Sequence, residues 1–494
     1  MPVMRSIEAL PGPAGLPWLG NAHQLDPRRL HRQLEAWERS YGRCYTFRLG
    51  ARRVVVLSQT EHVQRILSER PDAFRRFAAI EAVCRELEGY GVFSAEGDDW
   101  RRMRKLVLPG FSLRQLRDFH PDLGRITARL GAVWQAAARA GRPIDPLDGL
   151  KRYTVDVTSQ VAFGRDLNTL ERLDSDLQAH LARLFSAINE RINAFFPHWR
   201  YVWLPRDYRI ERSKRVVRKV MFEMIQEAEA LLQREPERLA QPRTLLEAML
   251  AARMSEDEAT RMSDDEVAAN VATFLLAGED TTAHTLAWAL HYLAHDPAIR
   301  ARAQQEADAV LAHMDVAARF DDVAKLRYIT AIVHETLRLR SVLPVQFLEA
   351  CQDVSFDDLH VPAGTPLFLL TRSCATDAKN FAEPERFVPE RWLDAERCPA
   401  HAHNPRASFA FGGGPRTCPG RALALVECAL VLSMVLKKFD IEAVNGAQAV
   451  TEHFDFTMQP VGVSLRFWER AARPRAVTHL SVRAPGVEAE GAST

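Results

Sequence analysis

One of the seven cysteines stands where it can do chemistry. Cys418 lies in Phe411-Gly412-Gly413-Gly414-Pro415-Arg416-Thr417-Cys418-Pro419-Gly420. Three consecutive glycines permit backbone angles closed to other residues, and two prolines fix φ and remove donors, so the stretch must be an irregular loop. Residues 421–432 then combine strong helix formers with no breaker. Cys418 therefore sits just ahead of a largely apolar helix, whose free N–H groups favour a thiolate over a thiol. A thiolate held this way suits a soft metal or an iron cofactor. A buried structural cysteine beside a glycine turn is the plainer alternative.

A second group of polar residues lies inside a long apolar stretch. Ser263 followed three residues later by Glu266 is a capping box. From Val267 the chain runs without proline to Asp296-Pro297, roughly 30 residues or about 45 Å of helix. It is apolar nearly all round, which marks a buried helix. Its centre nevertheless reads Ala277-Gly278-Glu279-Asp280-Thr281-Thr282. Buried acids and hydroxyls are costly unless partnered or used. Gly278 and the threonines invite a local opening of the hydrogen-bond ladder that would admit water. A satisfied polar patch at a helix crossing is the alternative.

Two further clusters mean little alone. Glu335 and Arg338, in His334-Glu335-Thr336-Leu337-Arg338, share one helix face and can pair, as many surface pairs do at little gain. Trp100-Arg101-Arg102-Met103-Arg104-Lys105 is a basic run at a helix start, ordinarily a solvated face.

Together these motifs resemble the cytochrome P450 superfamily. Phe-x-x-Gly-x-Arg-x-Cys-x-Gly, its haem-binding signature, appears as Phe411, Gly414, Arg416, Cys418 and Gly420. The resemblance implies haem b (iron protoporphyrin IX) with Cys418 as the axial thiolate on iron, Arg416 on a propionate and Phe411 beside the sulfur. The thiolate then favours O–O cleavage. Ala-Gly-x-Asp-Thr-Thr resembles the oxygen-activation segment, which makes Thr281 the hydroxyl acting on the activated oxygen and Asp280 the proton relay. Glu-x-x-Arg with the later Pro389-Glu390-Arg391 implies a structural triad of Glu335, Arg338 and Arg391. Trp100 and Arg104 would contact propionates, with the surrounding basic residues facing an acidic redox partner. One departure stands out: where many members carry a propionate-binding arginine, this chain has Leu348.

The family's substrate-contact positions are variable. Candidates here are residues 77–93, Phe274 and Ala277, Val345 and Phe347, and Phe456 and Thr457, mostly apolar, which suits a hydrophobic substrate such as a fatty acid, terpenoid or polyketide-like molecule. The resemblance implies a monooxygenase inserting one atom of O2. Peroxygenases or isomerases of the same fold are the alternative, disfavoured by the Asp280-Thr281 pair because peroxide-driven members need no proton relay. A non-catalytic haem sensor is a third. No G-x-G-x-x-G stands at a strand–helix junction, so electrons are expected from a separate ferredoxin or flavodoxin with its reductase.

The elements that must position these groups fill 494 residues, 47% hydrophobic and 26% charged, with net charge +1. That balance gives no reason to expect nucleic acid as a partner. The cysteines are scattered, odd in number and without a CxxC pair, which suits a reducing compartment. The start of the chain has no apolar anchor, so a soluble, cytoplasmic, bacterial-type protein is expected. Residues 1–21 read as a Pro/Gly-rich lead-in, 22–470 as one haem domain, and 471–494 as a flexible tail. Within the domain, 30–41 and 61–69 read as helices, 44–49 and 53–57 as a hairpin, and pieces near 365–370 and 461–467 as strands, the rest being helical. The fold class is mainly α with small β-sheets, the cytochrome P450 fold.

Overall fold

A computed structural model describes residues 4–172, 177–194, 196–254, 261–393 and 403–470; the expected tail, 471–494, lies outside the described residues. The helices of nine residues or more are α1 (Leu30–Tyr41), α2 (Thr60–Ser68), α3 (Ala78–Glu86), α4 (Gly97–Val107), α5 (Leu113–Arg139), α6 (Pro146–Phe163), α7 (Leu177–Ile192), α8 (Pro205–Arg234), α9 (Leu245–Arg253), α10 (Asp264–His295), α11 (Pro297–Leu311), α12 (Arg327–Leu339) and α13 (Arg421–Lys438). The main sheet is built of β1 (Cys44–Leu49), β2 (Arg52–Leu57), β3 (Phe74–Arg76), β4 (Val345–Ala350) and β5 (Pro366–Leu370), in the order β1-β2-β5-β4-β3. β6 (Phe439–Ala443) pairs with β9 (Leu465–Glu469), and β7 (Thr451–Asp455) with β8 (Thr457–Val461).

α10 is the axis of the molecule. Its start is the expected capping box, Ser263 and Glu266 bonding each other's backbone N–H reciprocally. Both of its flanks are apolar, so it can be enclosed. On one side it joins α5, α6, α12 and α13 in a core that includes Leu130, Leu286, Leu290, Ile332 and Leu430. On the other it joins α4, α7, α8 and α9 around Met103, Leu181, Met224, Leu246 and Leu275.

α10 lies especially close to α6, and the sequence of both helices explains it. A Cβ on Gly278 would stand 2.2 Å from Thr158 Oγ1, so only glycine allows this approach. Thr154 Oγ1 also donates to the Glu279 carbonyl at 2.7 Å. The expected opening of the ladder does not occur: α10 runs unbroken from Asp264 to His295. Thr281 and Thr285 turn their hydroxyls back onto the carbonyls of Ala277 and Thr281, at 3.0 and 2.8 Å, which local side-chain bonding allows without breaking the helix.

One other expectation is corrected. The strand read at 461–467 is two strands, because Gly462 at φ +90° turns the chain between β8 and β9. The Pro/Gly-rich lead-in is fastened to the domain. Thr46 N donates to the Pro11 carbonyl at 2.9 Å, and Arg48 N to Asn21 Oδ1 at 2.8 Å, so the segment runs along β1.

Candidate active site

Cys418 is placed by a loop that only glycine can follow. Gly412 and Gly414 have φ of +73° and +63°, and a Cβ on Gly414 would stand 2.2 Å from the Leu67 carbonyl at the end of α2. Cys418 N then donates to the Phe411 carbonyl at 2.9 Å, closing the turn ahead of α13. Phe411 thus holds the loop through its backbone, while its ring lies under the Arg421 guanidinium at 5.7 Å. Burial pushes the Cys418 thiol up, opposed by the N–H groups of Gly420 and Arg421 and by Arg104. The side chain nonetheless keeps accessible surface, so it faces interior space rather than packed neighbours. A thiolate there needs a cation to offset its burial, which a bound iron provides.

Beside this loop, positive charge is gathered in excess. Arg416 Nη2 donates to Glu96 Oε2 and to the Ala95 carbonyl, both at 2.6 Å, and its guanidinium lies 4.5 Å over the ring of buried Trp100. Its Nε and Nη1 are buried without partners, as is Arg104 Nε. Arg104 reaches across to the Thr417 carbonyl. Arg70, also buried, approaches the same Glu96 at 3.6 Å. Burial, with Glu96 opposing and Arg76 and Arg104 adding, holds Arg416 down at about 9. Unsatisfied buried guanidinium N–H groups are costly. This donor set fits a dianionic ligand such as the two propionates of haem, beside the Cys418 thiol.

At the centre of α10, Ala277 is exposed and Thr281 half-buried in an otherwise enclosed helix. Asp280 is buried and faces α6, where Lys151 Nζ is 2.7 Å from its Oδ1; His284 Nε2 lies at 3.5 Å from the same oxygen. Burial lowers the lysine's pKa, but the Asp280 carboxylate more than offsets this, so the ammonium is retained. His284 is driven down to about 4 by burial and is neutral. Glu279 is fully buried with neither carboxylate oxygen partnered; burial, with Asp280 adding, raises it well above the usual range. Lys151 and His284 carried no motif of their own and were not among the expected residues; only the fold brings α6 to Asp280.

An apolar cavity lies beside Ala277. Ala272, Leu276 and Ala277 of α10 form one wall, and Phe93 and Phe456 another; Leu184, Phe185 and Ile188 of α7 and Val217 and Met221 of α8 add to it, and Glu88, Lys214 and Arg218 bring charge to its lining. Of the expected substrate contacts, Ala277, Phe456 and, within 77–93, Cys84, Leu87, Glu88, Gly89 and Phe93 line this cavity. Four do not. Phe274 packs at a tilt against Phe111, with ring centroids 5.5 Å apart. Val345 is buried in the sheet core. Phe347 packs edge-on to Phe368 at 4.7 Å. Thr457 is buried against His284 Nδ1 at 3.4 Å. The α7 and α8 residues were missed because an amphipathic helix looks the same whether its apolar face meets core or ligand.

The proximal side is built on Glu335. It receives Arg338 Nε and Nη2 at 2.9 Å, Arg391 Nε at 3.0 Å, and Trp392 Nε1 and Val388 N at 2.9 Å. The two arginine–glutamate pairs are buried. Trp392, adjacent to the Pro-Glu-Arg stretch, is an addition to the expected triad. The basic run on α4 offers less free charge than its sequence suggests. Arg101 pairs with Asp98 and Asp72, and Arg102 with Asp99 and Glu266, leaving Lys105 exposed.

Leu348 is buried in the sheet core, directly opposite Arg76 on the neighbouring strand. Among the described residues no helix is long and apolar enough to cross a membrane.

The cytochrome P450 family model matches residues 10–467. Cytochrome P450 2F5 of Gorilla gorilla gorilla is 27% identical over 487 residues, covering 94% of each chain. A self-sufficient cytochrome P450 monooxygenase of Phanerodontia chrysosporium is 26% identical over 489 residues, covering 94% of this chain but 43% of that protein. A bifunctional cytochrome P450/NADPH–P450 reductase of Gibberella moniliformis is 26% identical over 468 residues, covering 93% of this chain and 40% of the relative. The chain thus spans less than half of these two longer relatives.

Proposed function

Because the chain belongs to the cytochrome P450 family, and is a haem-thiolate monooxygenase, we propose that Cys418 is the iron ligand and that the cavity between α7, α8 and α10 receives a hydrophobic organic substrate. The cofactor is proposed to be haem b, held by Arg416, Arg104 and Trp100 through its propionates. When bound, haem supplies the oxidising chemistry: with two electrons and two protons, one atom of O2 enters the substrate and the other leaves as water.

The chain's own residues orient and deliver. The cavity walls exclude water and hold the substrate by apolar contact. Lys151 is partly open to solvent and pairs with Asp280, so a proton arriving at Asp280 breaks the pair and can pass on. Thr281, with its O–H committed to the Ala277 carbonyl, keeps lone pairs free to accept a hydrogen bond. We assign Asp280 as the proton carrier and Thr281 as the hydroxyl that receives from it. Electrons are proposed to come from a ferredoxin or flavodoxin with its reductase. A reducing, cytoplasmic setting is proposed because the six described cysteines are free.

The observation that carries this reading is the accessible Cys418 thiol, held by a glycine loop ahead of α13, beside a cluster of buried, under-partnered arginines. It is tested by the reduced carbonyl adduct, which should show the red-shifted Soret band of sulfur ligation; its absence in Cys418→Ser and presence in the wild type is the expected result. Thr281→Ala should bind substrate normally but divert reducing equivalents to peroxide. Unchanged product per electron pair would remove Thr281 from its role.

A further inference from the structure

Arg76 ends β3, on the edge of the main sheet, and its register partner on β4 is Leu348. Its backbone N–H donates to Glu96 Oε1 at 2.9 Å and its Nε to the Phe93 carbonyl at 3.0 Å. The guanidinium lies 3.8 Å over the Phe93 ring, and Phe93 is a wall of the substrate cavity. Arg76 therefore spans the short distance between that cavity and the Glu96–Arg416 pair behind Cys418.

Its two Nη groups have no hydrogen-bond or ion-pair partner among the described residues. Burial lowers its pKa, with Glu96 opposing. Arg70, Arg76 and Arg416 thus gather around a single carboxylate, Glu96, with the charge of Arg104 close to Arg416. A buried excess of positive charge is destabilising unless a ligand answers it. Planar guanidinium groups with two free N–H donors match a carboxylate in fork geometry.

We propose that Arg76 is a carboxylate-binding residue of the cofactor site, and that it takes the role that Leu348 cannot. Two strands paired in register present directly opposite residues on the same face of the sheet. An arginine moved from one strand to its partner can therefore reach the same ligand group. This rests on the haem reading above, with a propionate as the ligand.

The test is the rate at which the full-length holoprotein releases its cofactor to excess apomyoglobin, measured for haem and for haem dimethyl ester, whose propionates are masked. Loss of one charge-assisted carboxylate contact in Arg76→Leu should speed haem release about ten- to a hundredfold, and leave release of the ester unchanged. The exchange Arg76→Leu/Leu348→Arg should restore slow haem release. Arg76→Lys, which keeps charge but loses the fork, should fall between, and it carries the test if the leucine variant does not fold. Equal haem release from the wild type and both single variants overturns the proposal, as does an equal acceleration for the ester, which would mark a packing role. A wild-type protein that binds no haem overturns the cofactor reading and this proposal together.

Discussion

Lys151 Nζ stands 2.7 Å from Asp280 Oδ1 across the tight α6–α10 contact. The carboxylate at the centre of the longest helix is thus tied to a side chain that still touches solvent. Asp280→Asn keeps the shape of the side chain but cannot carry a proton. Its turnover should fall by about a hundredfold or more, the usual range for losing a positioned acid–base group. Substrate-induced spectral change should be unaltered, because Asp280 faces α6 and not the cavity. Lost substrate binding with preserved turnover would contradict the assignment.

Much of this was legible in the sequence, and the reason is local. The three glycines and two prolines around Cys418, and the capping box at Ser263, dictate backbone conformation within a few residues. The Glu335–Arg338 pair was legible in its spacing of three, whereas Arg391 joined it only through resemblance, since it lies 56 residues from Glu335. Lys151, Glu96 and Arg76 were invisible because each gains its meaning from a neighbour far along the chain: Asp280, Arg416 and Leu348. The substrate cavity was half legible. Phe456 and Ala277 lay in recognisable positions, whereas the α7 and α8 faces have ordinary amphipathic patterns.

Glu335 concentrates five donors on one buried carboxylate. In Glu335→Ala, Arg338 and Arg391 lose their counter-charge without gaining water. The expected destabilisation is about 3–5 kcal/mol, read as a lower urea midpoint. Haem content per protein should fall as well, since α12 packs against α13, which follows the Cys418 loop. A variant of wild-type stability would show that the arginines find other carbonyl partners.

Glu427 on α13 is buried, has no partner at Oε2, and is pushed up to about 8 by burial alone. An unfolded carboxyl releases its proton near 4.5. The folded state therefore binds more protons than the unfolded state between these values, and stability falls as pH rises through that window. The cost accumulated from pH 4.5 to pH 7 is about 3 kcal/mol. Glu427→Gln removes this titration. The variant's melting temperature relative to wild type should climb from pH 4.5 upward and level off above about pH 8. A constant offset across that range would mean that Glu427 finds a partner or water in the folded state.

Gly278 permits the closest approach in the molecule's centre. An alanine there would set its Cβ 2.2 Å from Thr158 Oγ1, 3.0 Å from Cγ2 and 3.1 Å from Cβ. Overpacking of this kind costs about 1–3 kcal/mol, against which alanine's better helix propensity contributes up to about 1 kcal/mol. Gly278→Ala should therefore destabilise, and because α10 must shift away from α6, it should also move Thr281, three residues on, and lower product formed per electron pair. Thr158→Ala removes both Oγ1 and Cγ2, the two nearest obstacles. The double variant should then be more stable than Gly278→Ala alone, with a coupling of at least about 1 kcal/mol in a double-mutant cycle. It should also recover coupled turnover. Additive losses would show that the glycine is required for something other than its distance to Thr158.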